Sequence, residues 1–263
     1  MTATDLLAVR EAKFRRTFLI ATAVIFLLLT ATLVPISSID LTISENAKAA
    51  CPMPSARGPW CPMTAVVTAR QFFTGVFILI FLATLAATIR TLLAKRRWFG
   101  AEQARCVFLL AVLICGPGLV ANLGFKEHFG RARPREVIEF GGKKAFTPPL
   151  IPSRECSRNC SFISGEASAM YAPFFALAFV LPHYRSRLLA VGVAAGILAG
   201  AVRIIQGGHF LSDVLFAGVF MALTVSVLHI AVIGLWRNPR RTWSALLAPF
   251  APLRNEILGR VRG

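Results

Sequence analysis

The stretch Arg203-Ile-Ile-Gln-Gly-Gly-His209-Phe-Leu-Ser-Asp213 decides the fold, because it joins two long apolar runs and carries charge where a membrane chain needs only a turn. The runs on either side are residues 188–205 and 214–236. Working outward, four more apolar runs occupy residues 17–36, 72–89, 106–124 and 167–182. Crossing a hydrocarbon core of roughly 30 Å takes about 20 helical residues, and all but the fourth run are close to that length. The chain of 263 residues is 56% hydrophobic, with a mean hydropathy of +0.66. That is too apolar for a soluble domain of this size. Backbone groups left unpaired in lipid are costly, and the runs lack the period-2 alternation of a barrel strand. The expected fold class is therefore all-α: an integral membrane bundle of six helices forming a single domain over residues 1–263, with outer loops at 37–65 and 126–164.

The net charge of +17 raises the question of a nucleic-acid partner. The basic residues are dispersed over tails and connections instead of forming one face, so no nucleic acid is expected. Topology explains many of them. Arg10, Lys13, Arg15 and Arg16 precede the first span, Lys95 to Arg97 follow the second, Arg185 and Arg187 follow the fourth, and Arg237, Arg240 and Arg241 follow the sixth. All fall on one side if both termini are cytoplasmic, as the positive-inside rule requires. The tail beyond Trp236 interleaves arginines with Trp243, Leu246, Ile257 and Leu258, which reads as an amphipathic surface segment attracted to anionic lipid. The remaining basic excess sits in the 126–164 loop, on the opposite side, and needs another explanation. The first run is too long for a signal-peptide core, and Ala47-Lys-Ala49 lies well past its end, so it reads as an uncleaved anchor. Cys51, Cys61, Cys156 and Cys160 all fall in the outer loops, where an oxidising compartment permits disulfides; the spacing does not fix their pairing. Cys106 and Cys115 read as packing residues in the third span. The prolines of the 37–65 loop suggest irregular structure there, and Gly116-Pro-Gly118 suggests a kink in the third span.

On this topology Lys126, Arg131, Arg133, Arg135, Ser164, Gly165, Glu166, Arg203, His209 and Asp213 all come to the outer ends of the helices. Ionisable residues at that depth are expensive and mark a site. A phosphate suits them. Lys126, Arg133 and Arg203 can surround its oxygens and stabilise an in-line transition state. Ser164 and Gly165 open a helix whose free amides favour an anion. His209 is a candidate nucleophile, since neutral imidazole attacks phosphorus without first losing a proton. Asp213, four residues on and on the same helical face, is placed to hold the far ring nitrogen. Arg131, Arg135, Lys143 and Lys144 read as attraction for anionic substrate or as solvated charge, and Asn122 as a helix–helix hydrogen bond.

Lys126-x6-Arg133-Pro134, then Ser164-Gly165, then Arg203-x5-His209-x3-Asp213 resemble, in order, the three signature motifs of the type 2 phosphatidic acid phosphatase (PAP2) family. Its membrane members are six-helix lipid phosphatases. The resemblance implies a PAP2-like core with His209 forming a phosphohistidine and Asp213 orienting it. It also implies that Lys126, Arg133 and Arg203 bind phosphate, and that no metal or other cofactor takes part. The usual middle motif is Pro-Ser-Gly-His, whose His protonates the leaving group, but this sequence has Ile163 and Glu166 at its ends. Two roles follow for Glu166: general acid, or partner of an Arg while water or His128 supplies the proton. Ser-Gly-Glu together with a cysteine-bearing loop is most similar to the lipid A phosphatases.

The expected activity is removal of a phosphate monoester from a membrane lipid, with lipid A at its 1- or 4′-phosphate as the first choice. The expected location is the bacterial inner membrane, with the site facing the periplasm. Undecaprenyl pyrophosphate, phosphatidylglycerol phosphate and a lipid phosphotransferase reaction are the alternatives, and an anion-binding transporter or scaffold is the non-enzymatic one. Oligomeric state is not legible in the sequence.

Overall fold

The computed structural model describes residues 3–51, 60–61, 63–94 and 101–234. The basic cluster Lys95 to Arg97, the arginines from Arg237 onward, and Pro52, Pro54, Pro59 and Pro62 lie outside the described residues. Among the described residues every regular element is helical, apart from one bridge between Val137 and Lys144. The chain runs through α1 (Ala3–Leu33), α2 (Ser38–Ala49), α3 (Thr64–Leu93), α4 (Ala101–Leu113), α5 (Gly165–Val180), α6 (Arg185–Ile205) and α7 (Leu211–Leu228). Helix α4 continues as a π-helix over Ile114–Lys126, and α7 over His229–Gly234. Five stretches are long and apolar enough to cross a membrane: Val9–Leu33, Thr64–Leu93, Glu102–Lys126, Pro182–Ile205 and Leu211–Gly234. The shorter apolar helix Gly165–Val180 is the sixth of the bundle, and the protein is a multi-pass membrane protein.

One local expectation changes. The 37–65 loop is not irregular throughout, because α2 forms within it and buries Asp40 and Ser44. Pro117 lies inside the π-helical stretch. Proline has no N–H and its ring crowds the carbonyl four residues back, and the wider π turn relieves both without ending the helix.

Lipid gives no hydrophobic drive between helices, so close packing must hold them. Helix α6 offers Gly192, Gly196 and Gly200 at four-residue intervals, one stripe on one face. A Cβ on Gly196 would lie 2.4 Å from the Tyr171 ring of α5, and one on Gly200 would lie 2.2 Å from Val214 of α7. The glycines therefore let α5 and the start of α7 sit directly against the α6 backbone. Large apolar residues such as Leu27, Leu79 and Leu198 are exposed on the bundle's outer surface, as lipid contact demands.

At one end of the bundle the Arg185 guanidinium lies 4.1 Å over the Phe14 ring and donates to the Ala178 carbonyl. That brings the early turns of α1 and the α5–α6 junction together. The site forms at the other end, where the π-helical end of α4 and the starts of α5 and α7 meet.

Candidate active site

His209 is fully buried just before α7. Its Nδ1 lies 2.7 Å from the Ser161 carbonyl oxygen. A carbonyl only accepts, so Nδ1 carries the proton and Nε2 keeps its lone pair. Asp213 stands beside the ring, as its spacing suggests, without a direct hydrogen bond to it. Its Oδ2 is 3.6 Å from Nδ1, an electrostatic contact longer than a hydrogen bond. Oδ2 instead accepts from Ser161 Oγ and, at 2.8 Å, from the Phe210 amide. Asp213 thus acts through Ser161, fixing the residue whose carbonyl fixes the ring.

Arg131 is a second correction. It does not face solvent, because its side chain is fully buried. It donates to Asp213 Oδ1 at 2.6 Å, Ser212 Oγ at 2.8 Å, Asp40 Oδ2 at 2.9 Å and the Thr147 carbonyl at 2.9 Å. Its guanidinium also lies 4.4 Å over the Phe210 ring. Asp40 closes the network from α2, accepting from the Ser212 amide at 2.9 Å and from Ser212 Oγ. Burial, with Asp213 close by, raises the Asp40 pKa above its ordinary value despite the opposing pull of Arg131 and Ser212.

The cations take their places in different ways. Arg133 is held by Asn159, donating to its carbonyl at 2.7 and 3.1 Å and to its side chain at 2.8 Å. Burial, and Arg135 nearby, lower the Arg133 pKa, but a guanidinium starts so far above neutrality that it stays charged. Asn159 lies inside the loop closed by the Cys156–Cys160 disulfide, and the Cys160 amide donates to the Lys126 carbonyl at 2.9 Å. That disulfide therefore ties the Arg133 anchor to Lys126. Arg203, at the end of α6, donates to Gln206 Oε1. Its Nε is 3.1 Å from Glu166 Oε1, yet no hydrogen bond is aligned there. Lys126 is buried within electrostatic reach of Glu166, Arg133 and Arg203.

Ser164 caps α5, its Oγ accepting from the Ala167 amide at 3.4 Å. Its own amide donates to the Asp213 carbonyl at 3.1 Å, docking α5 onto α7. The amides of Gly165 and Glu166 are then the first-turn donors without a partner inside the helix. A Cβ on Gly165 would lie 2.6 Å from Lys126 Nζ and 3.0 Å from Asn122 Oδ1. Gly165→Ala is therefore expected to keep the fold, because the Lys126 tip can swing aside, but to displace the ammonium by roughly an ångström. Under the phosphoester hydrolysis expected from the motifs, phosphate release should fall about 100-fold, and an unchanged rate would remove Lys126 from the site.

Glu166 is an ion-pair partner in this arrangement. Oε1 is shared between Arg203 and Arg70 of α3, the latter at 3.2 Å, and Oε2 lies 3.7 Å from His209 Nε2. Arg70, Phe73, Phe77, Asn122, Lys126 and Glu166 line a cavity of about 290 Å³. Asn122 thus faces this cavity beside Gly165. His128 is exposed and lines a different, largely apolar hollow with Phe125 and Phe129.

Two disulfide-bearing connections pack against this end. Cys51 and Cys61 form a disulfide, and next to it the buried Trp60 donates its amide to the Gln206 carbonyl at 3.3 Å. Gly207 has φ +62°, and a Cβ there would lie 2.6 Å from the Trp60 ring. Asp40, Trp60, Arg70, Ser161 and Asn159 were not picked out by the motif spacing.

A family model described as the PAP2 superfamily matches residues 104–237. A lipid A 4′-phosphatase of Francisella tularensis subsp. novicida is 41% identical over 134 residues, covering 50% of this chain and 60% of the relative. A lipid A 4′-phosphatase of Rhizobium etli is 41% identical over 117 residues, 44% of this chain and 46% of the relative. A lipid A 1-phosphatase of the same species is 36% identical over 114 residues, 42% and 45% of the two chains. The chain thus spans between about half and 60% of the length of the curated relatives it matches. With all three motifs inside a match that covers just over half of its length, this chain belongs to the PAP2 superfamily.

Proposed function

We propose that the protein is a membrane lipid phosphatase that hydrolyses a phosphate monoester of lipid A, the 4′-phosphate first, through a phosphohistidine at His209. The observation that carries the reading is a pair of buried polar atoms. Arg203 Nε and His209 Nε2 have no hydrogen-bond partner, and both face the same point beside Glu166. Buried polar atoms left unpaired cost about 1–3 kcal/mol each and call for an explanation. A phosphoryl group at that point satisfies both, with an oxygen on Arg203 and the phosphorus before Nε2. The choice of lipid A rests on the names of the relatives, and the 4′ position on the higher identity to those named for it. The single domain over residues 1–263 and the periplasmic location of the site belong to this proposal, supported by two disulfides at the site's end of the bundle.

In the first half-reaction the Nε2 lone pair forms the N–P bond as the P–O bond to the sugar breaks. The departing oxygen takes up one proton from solvent water, and the proton released in the second half-reaction returns to solvent, so the net reaction consumes one water. Lys126, Arg133 and Arg203 hold the phosphoryl oxygens, and the cavity walled by Phe73 and Phe77 leaves room for the lipid-proximal part of the leaving group. In the second half-reaction water attacks phosphorus, loses a proton and frees Nε2. Glu166 is paired with two guanidinium groups, so it serves better as the base of this second step than as the acid of the first.

The test is purified protein with lipid A in detergent, read by mass spectrometry for loss of one phosphate unit. Intact lipid A alongside dephosphorylated undecaprenyl pyrophosphate or phosphatidylglycerol phosphate would overturn the substrate assignment. Label recovered in a second lipid, with none in free phosphate, would overturn hydrolysis in favour of transfer. Glu166→Gln is expected to slow turnover by about 10² to 10⁴ while the acid-labile phosphoenzyme accumulates. A slow reaction without accumulation, relieved by a better leaving group, would make Glu166 the acid instead.

A further inference from the structure

Helix α3 lies outside the matched family segment, yet it places one charged group in the site. Arg70 Nη2 is 3.2 Å from Glu166 Oε1, the same oxygen that faces Arg203 Nε, and the Arg70 side chain is 49% exposed. Resting on the phosphatase reading above, we propose that Arg70 is a positioning residue that draws the Glu166 carboxylate out of the phosphate position when substrate arrives.

In the resting site Glu166 stands where a phosphoryl group must go. Its two oxygens lie 3.1 Å from Arg203 Nε and 3.7 Å from His209 Nε2. It is an internal anion in an anion site. An incoming phosphate dianion and this carboxylate repel each other and compete for Arg203. No hydrogen bond is aligned on the Arg203 contact, whereas the Arg70 contact carries one. Arg70 supplies the alternative. Its present contact uses only the shared oxygen, and a turn of the Glu166 side chain toward the cavity lets both oxygens meet the guanidinium fork. The cavity between α3 and α5 provides the space for that turn, and the exposure of Arg70 leaves it free to follow. Once the leaving group has gone, the carboxylate can turn toward the space it vacated, on the far side of phosphorus from Nε2, and take the proton of the attacking water there.

A double-mutant cycle in inorganic phosphate binding tests this, using isothermal titration of the full chain in detergent. Arg70→Gln should weaken phosphate binding about fivefold, the scale of a half-exposed ion pair. Glu166→Gln should tighten it by removing the competitor. In the Glu166→Gln background Arg70→Gln should then change binding less than about twofold, since there is no carboxylate left to move. Arg70→Lys should restore part of the loss seen with Gln. An equal loss in both backgrounds would make Arg70 a direct phosphate ligand and overturn the proposal. So would a Glu166→Gln protein that binds phosphate no more tightly than the parent. If the parent protein binds neither phosphate nor orthovanadate, the phosphatase reading itself fails, a result distinct from failure of the cycle.

Discussion

His209→Gln protein is expected to release no phosphate from lipid A above background, a loss on the order of 10⁴-fold or more, because the residue proposed to make the covalent bond is gone. Gln suits the test better than Ala. It keeps an amide N–H that can donate to the Ser161 carbonyl, the one hydrogen bond the ring makes in the structure, and it fills most of a fully buried site. The variant should therefore be extracted from membranes as an ordered protein with a melting temperature near that of the parent. With labelled lipid A quenched in base, the parent should carry phosphate that survives alkali and is released by acid, and the variant should carry none. Substantial turnover by the variant, or label on another residue, would end the assignment of His209 as nucleophile. A transporter or scaffold that used the same basic pocket predicts no effect of this substitution on lipid dephosphorylation.

The parts of the site that were legible in the sequence are those whose partners lie close in sequence or whose chemistry is uncommon at membrane depth. Arg203, His209 and Asp213 fall within one short segment, and charges at the ends of apolar helices stand out. Ser164 and Gly165 open a helix, and a capping serine before an apolar run carries its own signal. The parts that were missed depend on pairings across the chain. Arg131 and Arg133 are two residues apart in one loop and of the same type. One is fixed by Asn159 and the other by Asp40 and Ser212, and no spacing rule ranks such distant partners. Asp40 lies in a segment whose neighbouring prolines suggested irregular chain, and its 12-residue helix α2 becomes visible only once it docks on α7. Arg70 near the start of a long apolar helix reads as an ordinary interfacial arginine with its stem in the bilayer. Ser161 acts through a backbone carbonyl, which side-chain identity does not encode. The glycine stripe at residues 192, 196 and 200 was the one unused signal, and small residues at four-residue intervals are the ordinary means of bringing membrane helices together.

Arg131→Met is expected to lose the fold and not merely the reaction. The guanidinium is the cation shared by two buried carboxylates, Asp213 at 2.6 Å and Asp40 at 2.9 Å. Methionine fills the volume but leaves both acids without it. Removing one partner from a buried ion pair costs about 3–5 kcal/mol, comparable to the whole stability of a marginal protein. The acids can escape by taking up protons, but that does not restore the geometry. Asp213 holds Ser161, Ser161 holds His209, and Asp40 holds the amide that begins α7. The variant should therefore aggregate or melt far below the parent in detergent, and any folded fraction should be inactive. Arg131→Lys keeps the charge but cannot reach Asp40, Asp213 and the Thr147 carbonyl from one short ammonium, so it should fall between the two. The alternative, that Arg131 draws anionic headgroups to the surface, predicts a different pattern: Arg131→Met would fold normally, keep its turnover number, and show a raised KM that salt no longer affects. A single melting curve separates the two, because a guanidinium that serves the substrate can be lost without cost to the empty protein, whereas one that neutralises two interior carboxylates cannot.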